Sequence, residues 1–127
     1  MVKKILKGRV EKGCRDGKNW DISDIRKTTG YDNLKPGTLN VRLAAPHNLR
    51  IDYRLPREQR TDGRDEDLYF ERCRLVIGRS SIRALIARTS TNFWGNSVLE
   101  IMAEEMIRQC YGVQDGDTVE LEVCAQE

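Results

Sequence analysis

With 127 residues, 22 basic and 20 acidic side chains and a net charge of +2, the chain fits one domain, residues 1–127, long enough to bury a core without staples. Charge this close to balance argues against a partner held by charge alone, nucleic acid above all. Cys14, Cys73, Cys110 and Cys124 are scattered, form no C-x-x-C pair and have only His47 as a histidine companion, which argues against zinc; with no apolar run of signal or membrane-span length, a cytoplasmic monomer with reduced thiols is expected.

Val2 to Val10 mixes cations with Ile5, Leu6 and Val10 and reads as a first strand with one polar face. Gly13-Cys14-Arg15-Asp16-Gly17-Lys18-Asn19 follows, with two glycines and two cations. Such a loop either makes a plain turn or offers amides and basic side chains to phosphate oxygens. It is no Walker loop, because Gly-x-x-x-x-Gly-Lys-Ser/Thr is absent. Trp20 to Gly30 predicts one or two helical turns, capped by Asp21 or Ser23 and stopped by Gly30.

Lys35-Pro36-Gly37-Thr38-Leu39-Asn40-Val41-Arg42-Leu43 joins a turn to a strand. Pro36 sets the φ of a second turn position and Gly37 supplies the freedom for a left-handed third, which predicts a type II turn. Period-two alternation then puts Leu39, Val41 and Leu43 on one face and Thr38, Asn40 and Arg42 on the other. Thr38 and Asn40 thus point the same way, about 7 Å apart along the strand. Either they form an exposed polar face, or their oxygens complete the shell of a Mg²⁺ already held by phosphates.

Pro46 breaks the strand and leaves His47 in a turn, where a solvated histidine is expected. Leu49 to Leu55 alternates as a further strand. Pro56 to Asp67 has no apolar residue, which predicts a solvated loop. Leu68 to Ile77 and Ile82 to Thr89 read as strands joined by a hairpin at Gly78 to Ser81. The loop after Thr89 carries Phe93 and Trp94, either tucked beneath it or free to stack on a planar ring.

Val98 to Ala103 is a short buried strand with one carboxylate, Glu100, projecting to the face opposite Leu99 and Ile101. Glu104 to Tyr111 predicts a short helix ending at Gly112. A turn at Val113 to Asp117 leads into a last alternating strand, Thr118 to Val123. Six or seven strands with one or two short helices favour a mainly β, small closed barrel over an α/β sandwich.

In this order the pieces resemble the archaeal-type CTP-dependent riboflavin kinase family. The resemblance rests on Gly8 to Gly13, Pro36 to Val41, Arg88-Thr89, Val98 to Ile101, Ile107-Arg108 and Gly112 to Asp117. It implies a closed six-stranded cradle-loop (RIFT-related) β-barrel that transfers phosphate from CTP to the ribityl hydroxyl of riboflavin, giving FMN and CDP. It further implies that Cys14, Arg15, Asp16, Gly17, Lys18 and Asn19 wrap the nucleotide phosphates and that Glu105, Met106, Ile107 and Arg108 border the cytidine. Thr38 and Asn40 would hold Mg²⁺, and Thr89 and Glu100 would contact the flavin. Of these, Glu100 is the carboxylate to nominate as the catalytic group that orients or deprotonates the hydroxyl. Arg15 stands where the family's loop has a further glycine, which motivates an alternative: a non-catalytic barrel module binding nucleotide, flavin or DNA.

Overall fold

A computed structural model of the chain describes residues 3–12, 20–91 and 97–124. Its strands are β1 (Lys3–Glu11), β2 (Leu39–Leu43), β3 (Tyr53–Leu55), β4 (Leu68–Ile77), β5 (Ser80–Thr89), β6 (Val98–Ala103) and β7 (Thr118–Cys124); its helices are α1 (Ile22–Thr29) and α2 (Ile107–Tyr111). All pairings are antiparallel and run β3-β4-β5-β6-β2-β1-β7, with β4 also pairing β7. That last pairing closes a six-stranded barrel of β1, β2, β4, β5, β6 and β7. Ten-residue β4 makes closure possible by dividing one edge: Tyr53 to Leu55 pair with its first residues, and Glu120 to Glu122 with Arg74 to Val76. No helix among the described residues is long and apolar enough to cross a membrane.

Alternation separates two apolar clusters. Leu6, Val10, Leu39, Val41, Leu75, Ile86, Leu99, Ile101 and Leu121 fill the barrel. Phe70, Leu85, Ala87 and Met102 face outward from β4, β5 and β6, and Trp20, Ile25, Tyr31 and Leu34 cover them. α1 is fixed locally before it is fixed by packing. The Asp21 carboxylate accepts the Ser23 amide at 2.8 Å and Gly30, at φ +76°, ends the helix. Gly8 shows how tightly the interior closes, because a Cβ there would lie 2.5 Å from Val41 Cγ1 and 2.7 Å from the Arg42 carbonyl.

Two expectations fail, each for an electrostatic reason. Leu49 to Leu55 alternates, yet only Tyr53 to Leu55 joins the sheet, and Ile51 is 60% exposed. Before Tyr53 one backbone bond remains, from the Asp52 amide to the Phe70 carbonyl at 2.9 Å, and side chains supply further links. The Asp52 carboxylate takes the Arg72 amide at 2.9 Å, and the Arg50 amide donates to Glu71 Oε1 at 3.2 Å. His47 is buried as well, its Nε2 lying 2.7 Å from Glu71 Oε1. Hydrophobic period cannot reveal such a pair, since its partner lies 24 residues away.

The run from Pro56 to Asp67 contains a 3₁₀ turn, Arg57–Gln59, and two buried charges. Arg60 makes a forked contact with Asp62 at 2.6 and 3.1 Å and donates to the Glu66 carbonyl at 2.8 Å. Asp67 accepts the Arg57 amide at 2.9 Å and Arg54 Nη2 at 3.0 Å. These bonds, the Arg57 amide foremost, hold the Asp67 carboxyl down at about 2. Its contribution to stability is therefore complete above about pH 4, where an unfolded carboxylate ionises, and is lost as pH falls through about 2. Asp67→Asn should melt at a lower temperature than wild type at pH 7 and approach it between pH 4 and 2. Thermal melts across that range check this; parallel curves would mean that the carboxylate contributes nothing specific.

Candidate functional site

The Pro36 turn has the expected backbone, with Gly37 at φ +88°. The Lys35 amide donates to the Ala103 carbonyl at 2.8 Å, so the turn is bolted to the end of β6 where the chain runs on toward α2. Between turn and helix lies a pocket of 220 Å³, lined by Lys35 to Leu39 on one side and Glu105 to Gln109 on the other. Two sequence-predicted groups, Thr38 and Glu105 to Arg108, thus meet at one cleft although some 70 residues separate them. Lys35 and Gln109 line the same cleft and went unnoticed in the sequence; their only signal is adjacency to the motifs.

α2 is shorter than the Glu104 to Tyr111 pattern predicts, because both acids have other partners. Glu104 contacts Arg83 at 3.3 Å, and Glu105 Oε1 accepts the Tyr111 hydroxyl at 2.8 Å, which raises the pKa of that phenol. Glu105, Met106 and Arg108 are exposed at the rim, while Ile107 is buried in the barrel cluster. Arg108 Nη2 reaches Asp115 Oδ1 at 2.7 Å and the Glu11 carbonyl at 3.3 Å, tying the rim to the end of β1. Cys14, Arg15, Asp16, Gly17, Lys18 and Asn19 lie outside the described residues, as do Phe93 and Trp94.

Thr38 and Asn40 do share a face. The Thr38 hydroxyl points at Asn40 Oδ1, 3.4 Å away, with Thr38 half-buried and Asn40 2% exposed. Two neutral oxygens this close on one face are the kind of hard donors that could share one small cation. Among the described residues no three His, Cys, Asp or Glu side chains converge as a metal cage. Two neutral oxygens with water and phosphate for the rest of the shell suit Mg²⁺, which dehydrates reluctantly.

The register does what periodicity could not. Asn40 stands directly opposite Glu100 of β6 and, on its other side, opposite Glu11 of β1. Directly opposed residues have Cβ atoms about 4.5–5.5 Å apart. Glu100 in turn faces Ala87, so Thr89, two residues on, is its diagonal neighbour on the outer face. Glu11 forms an ion pair with Arg42, and the chain passes from Glu11 through Lys12 into the glycine loop. One row therefore leads from the 220 Å³ pocket through Thr38 and Asn40 to Glu100 and then Thr89.

Comparison with known proteins bears on the chain as a whole. The CTP-dependent riboflavin kinase family model, described as a domain of unknown function (DUF120), matches residues 16–123. A protein from Methanocella arvoryzae named riboflavin kinase is 29% identical, over 92% of this chain and 56% of its own length. The chain thus spans about half the length of that curated relative.

Proposed function

The chain belongs to the CTP-dependent riboflavin kinase family, and on that premise we propose that it transfers the terminal phosphate of CTP to the ribityl hydroxyl of riboflavin, giving FMN and CDP. The observation that carries this reading is the register, which sets Asn40 opposite Glu100 with Thr38 on the pocket side and Thr89 on the other. Phosphoryl transfer asks for this order of donor, charge-neutralising pair, hydroxyl-handling group and acceptor, because little covalent chemistry falls to the protein.

In this reading the cleft between Lys35 to Leu39 and Glu105 to Gln109 takes the nucleoside end of the donor. Arg108, anchored to Asp115, keeps that rim in place. The resemblance assigns Cys14 to Asn19 to the phosphates, with Arg15 and Lys18 to offset charge. Thr38 and Asn40 would hold Mg²⁺, which when bound would neutralise charge on the phosphates. Glu100 accepts the hydrogen bond of the ribityl hydroxyl and aligns its oxygen for in-line attack, and Thr89 holds the acceptor from the adjoining strand.

The test is direct. Purified protein with riboflavin, Mg²⁺ and CTP should form FMN and CDP in equal amounts, with far less product from ATP. Calorimetry with CTP and riboflavin, separately and together, should show two sites. Absence of FMN with every nucleotide, together with one site or none, would overturn the reading in favour of a binding module.

A further inference from the structure

Arg83 stands where the pairing of β5 with β6 runs out. The last pair of that ladder sets Ala84 against Ala103, so one step further on Arg83 comes opposite Glu104, where backbone bonds end and side chains take over. Arg83 Nη1 lies 3.3 Å from Glu104 Oε1, and the Glu104 side chain is only 18% exposed. Alternation turns Arg83 to the outer face, two residues from Leu85, at the border of the cluster that α1 and the residues after it cover. There its guanidinium carbon lies 3.8 Å from the centroid of the Tyr31 ring. That ring is 2% exposed and is met edge-on by Tyr53, with centroids 6.2 Å apart, so the cation rests on a fixed aromatic face.

Each of these two contacts leads into one wall of the 220 Å³ pocket. From Tyr31 the chain runs to Lys35 through a short connection that is held on the way: the Leu34 amide donates to the Tyr31 carbonyl at 3.2 Å, and Arg26 Nε and Nη2 donate to the Leu34 carbonyl at 2.9 and 2.6 Å. Lys35 to Leu39 then form the first wall. Glu104 is followed directly by Glu105, with which the second wall begins. The bond from the Lys35 amide to the Ala103 carbonyl ties the two walls through the backbone, and Arg83 ties them again through side chains. A planar guanidinium suits this place, because it can lie on a ring face while its donors reach sideways to a carboxylate.

We infer that Arg83 is a positioning residue for the phosphate donor: it does not line the pocket, yet by spanning Tyr31 and Glu104 it sets the separation of the walls between which the nucleoside is held. The inference rests on the reading of this cleft as the donor site. It places control of donor affinity on a strand outside the cleft.

Arg83→Met keeps the length of the side chain and removes its charge. It should raise the CTP dissociation constant, read by calorimetry, and the KM for CTP by about three- to tenfold, the range implied by a cation on an aromatic face together with a partly exposed ion pair. The kcat at saturating CTP and the riboflavin dissociation constant should stay within about twofold of wild type, since only binding common to ground and transition states is lost. Arg83→Lys, which keeps the cation, should recover part of the affinity. Glu104→Gln should weaken CTP in the same sense, and the double variant should bind CTP no more weakly than Arg83→Met alone, because one brace is broken in both. If Arg83→Met fails to fold, Glu104→Gln decides the matter. Wild-type CTP affinity in Glu104→Gln and in folded Arg83→Met would overturn the inference while leaving the kinase reading intact. So would an equal loss of riboflavin affinity, which would mean a general loosening of the barrel, or fully additive losses in the double variant. If the wild-type protein binds neither CTP nor any other nucleotide, the donor reading of the cleft falls, and the inference with it.

Discussion

Thr38→Ala and Asn40→Ala should each lower riboflavin phosphorylation by one to three orders of magnitude, a loss of about 1.4 to 4 kcal/mol of transition-state stabilisation. Each removes one of two oxygens that lie 3.4 Å apart on one face of β2. The two variants should differ in stability. Thr38 is half-buried at the edge of an open pocket, so its truncation leaves little behind, whereas Asn40 is 2% exposed and its loss also deprives the Thr38 hydroxyl of its acceptor. Asn40→Ala should therefore melt at a lower temperature than Thr38→Ala while showing a similar kinetic defect. A merely structural role would not move the dependence on Mg²⁺. If these oxygens hold the ion, half-maximal activity should require more Mg²⁺ in both variants, and saturating Mg²⁺ should recover part of the rate. Turnover within a factor of two of wild type at saturating Mg²⁺ would remove both residues from the metal site.

Local patterns were legible where one face is wet and the other dry. The alternation of β1 and β7 was readable for that reason, whereas β5 and β6, buried on both faces, were readable as apolar runs; the Asp21 cap and the Gly30 and Gly112 stops were readable from residue type. Barrel closure was legible only by count, because the pairing of β4 with β7 joins residues about 45 positions apart and leaves no local mark. The polar interior was the least legible. Glu71 stands in a strand whose alternation gives it an inward place, but no period distinguishes a solvated carboxylate from one paired with His47. Arg60 and Asp67 defeat composition in the same way: a run without apolar residues can still bury charge when each charge finds a fork or an amide. The candidate site shows this division within a few residues. That Thr38 and Asn40 share a face follows from period two alone, whereas their position opposite Glu100 depends on a register between strands some 60 residues apart.

Glu100→Gln should reduce riboflavin turnover by at least tenfold, because it keeps the shape of the side chain but weakens a charged hydrogen bond of about 1.5 to 3 kcal/mol. Glu100 is half-buried at the centre of β6, between Asn40 on one strand and Ala87 on the other, with its inward neighbours Leu99 and Ile101 in the barrel cluster. It is therefore presented on the outer face by a strand whose other face is locked in the core, which is the support a positioning carboxylate needs. How the loss divides will identify its task. Removal of a proton acceptor should lower kcat while the riboflavin dissociation constant, read by fluorescence titration, changes little. Removal of a contact to the ground-state hydroxyl should weaken binding and turnover together. Wild-type values of both would take Glu100 out of the site. A variant that loses its fold would place the carboxylate in the polar framework around Asn40, and Glu100→Asp, which keeps the charge on a shorter arm, should then regain stability without regaining rate.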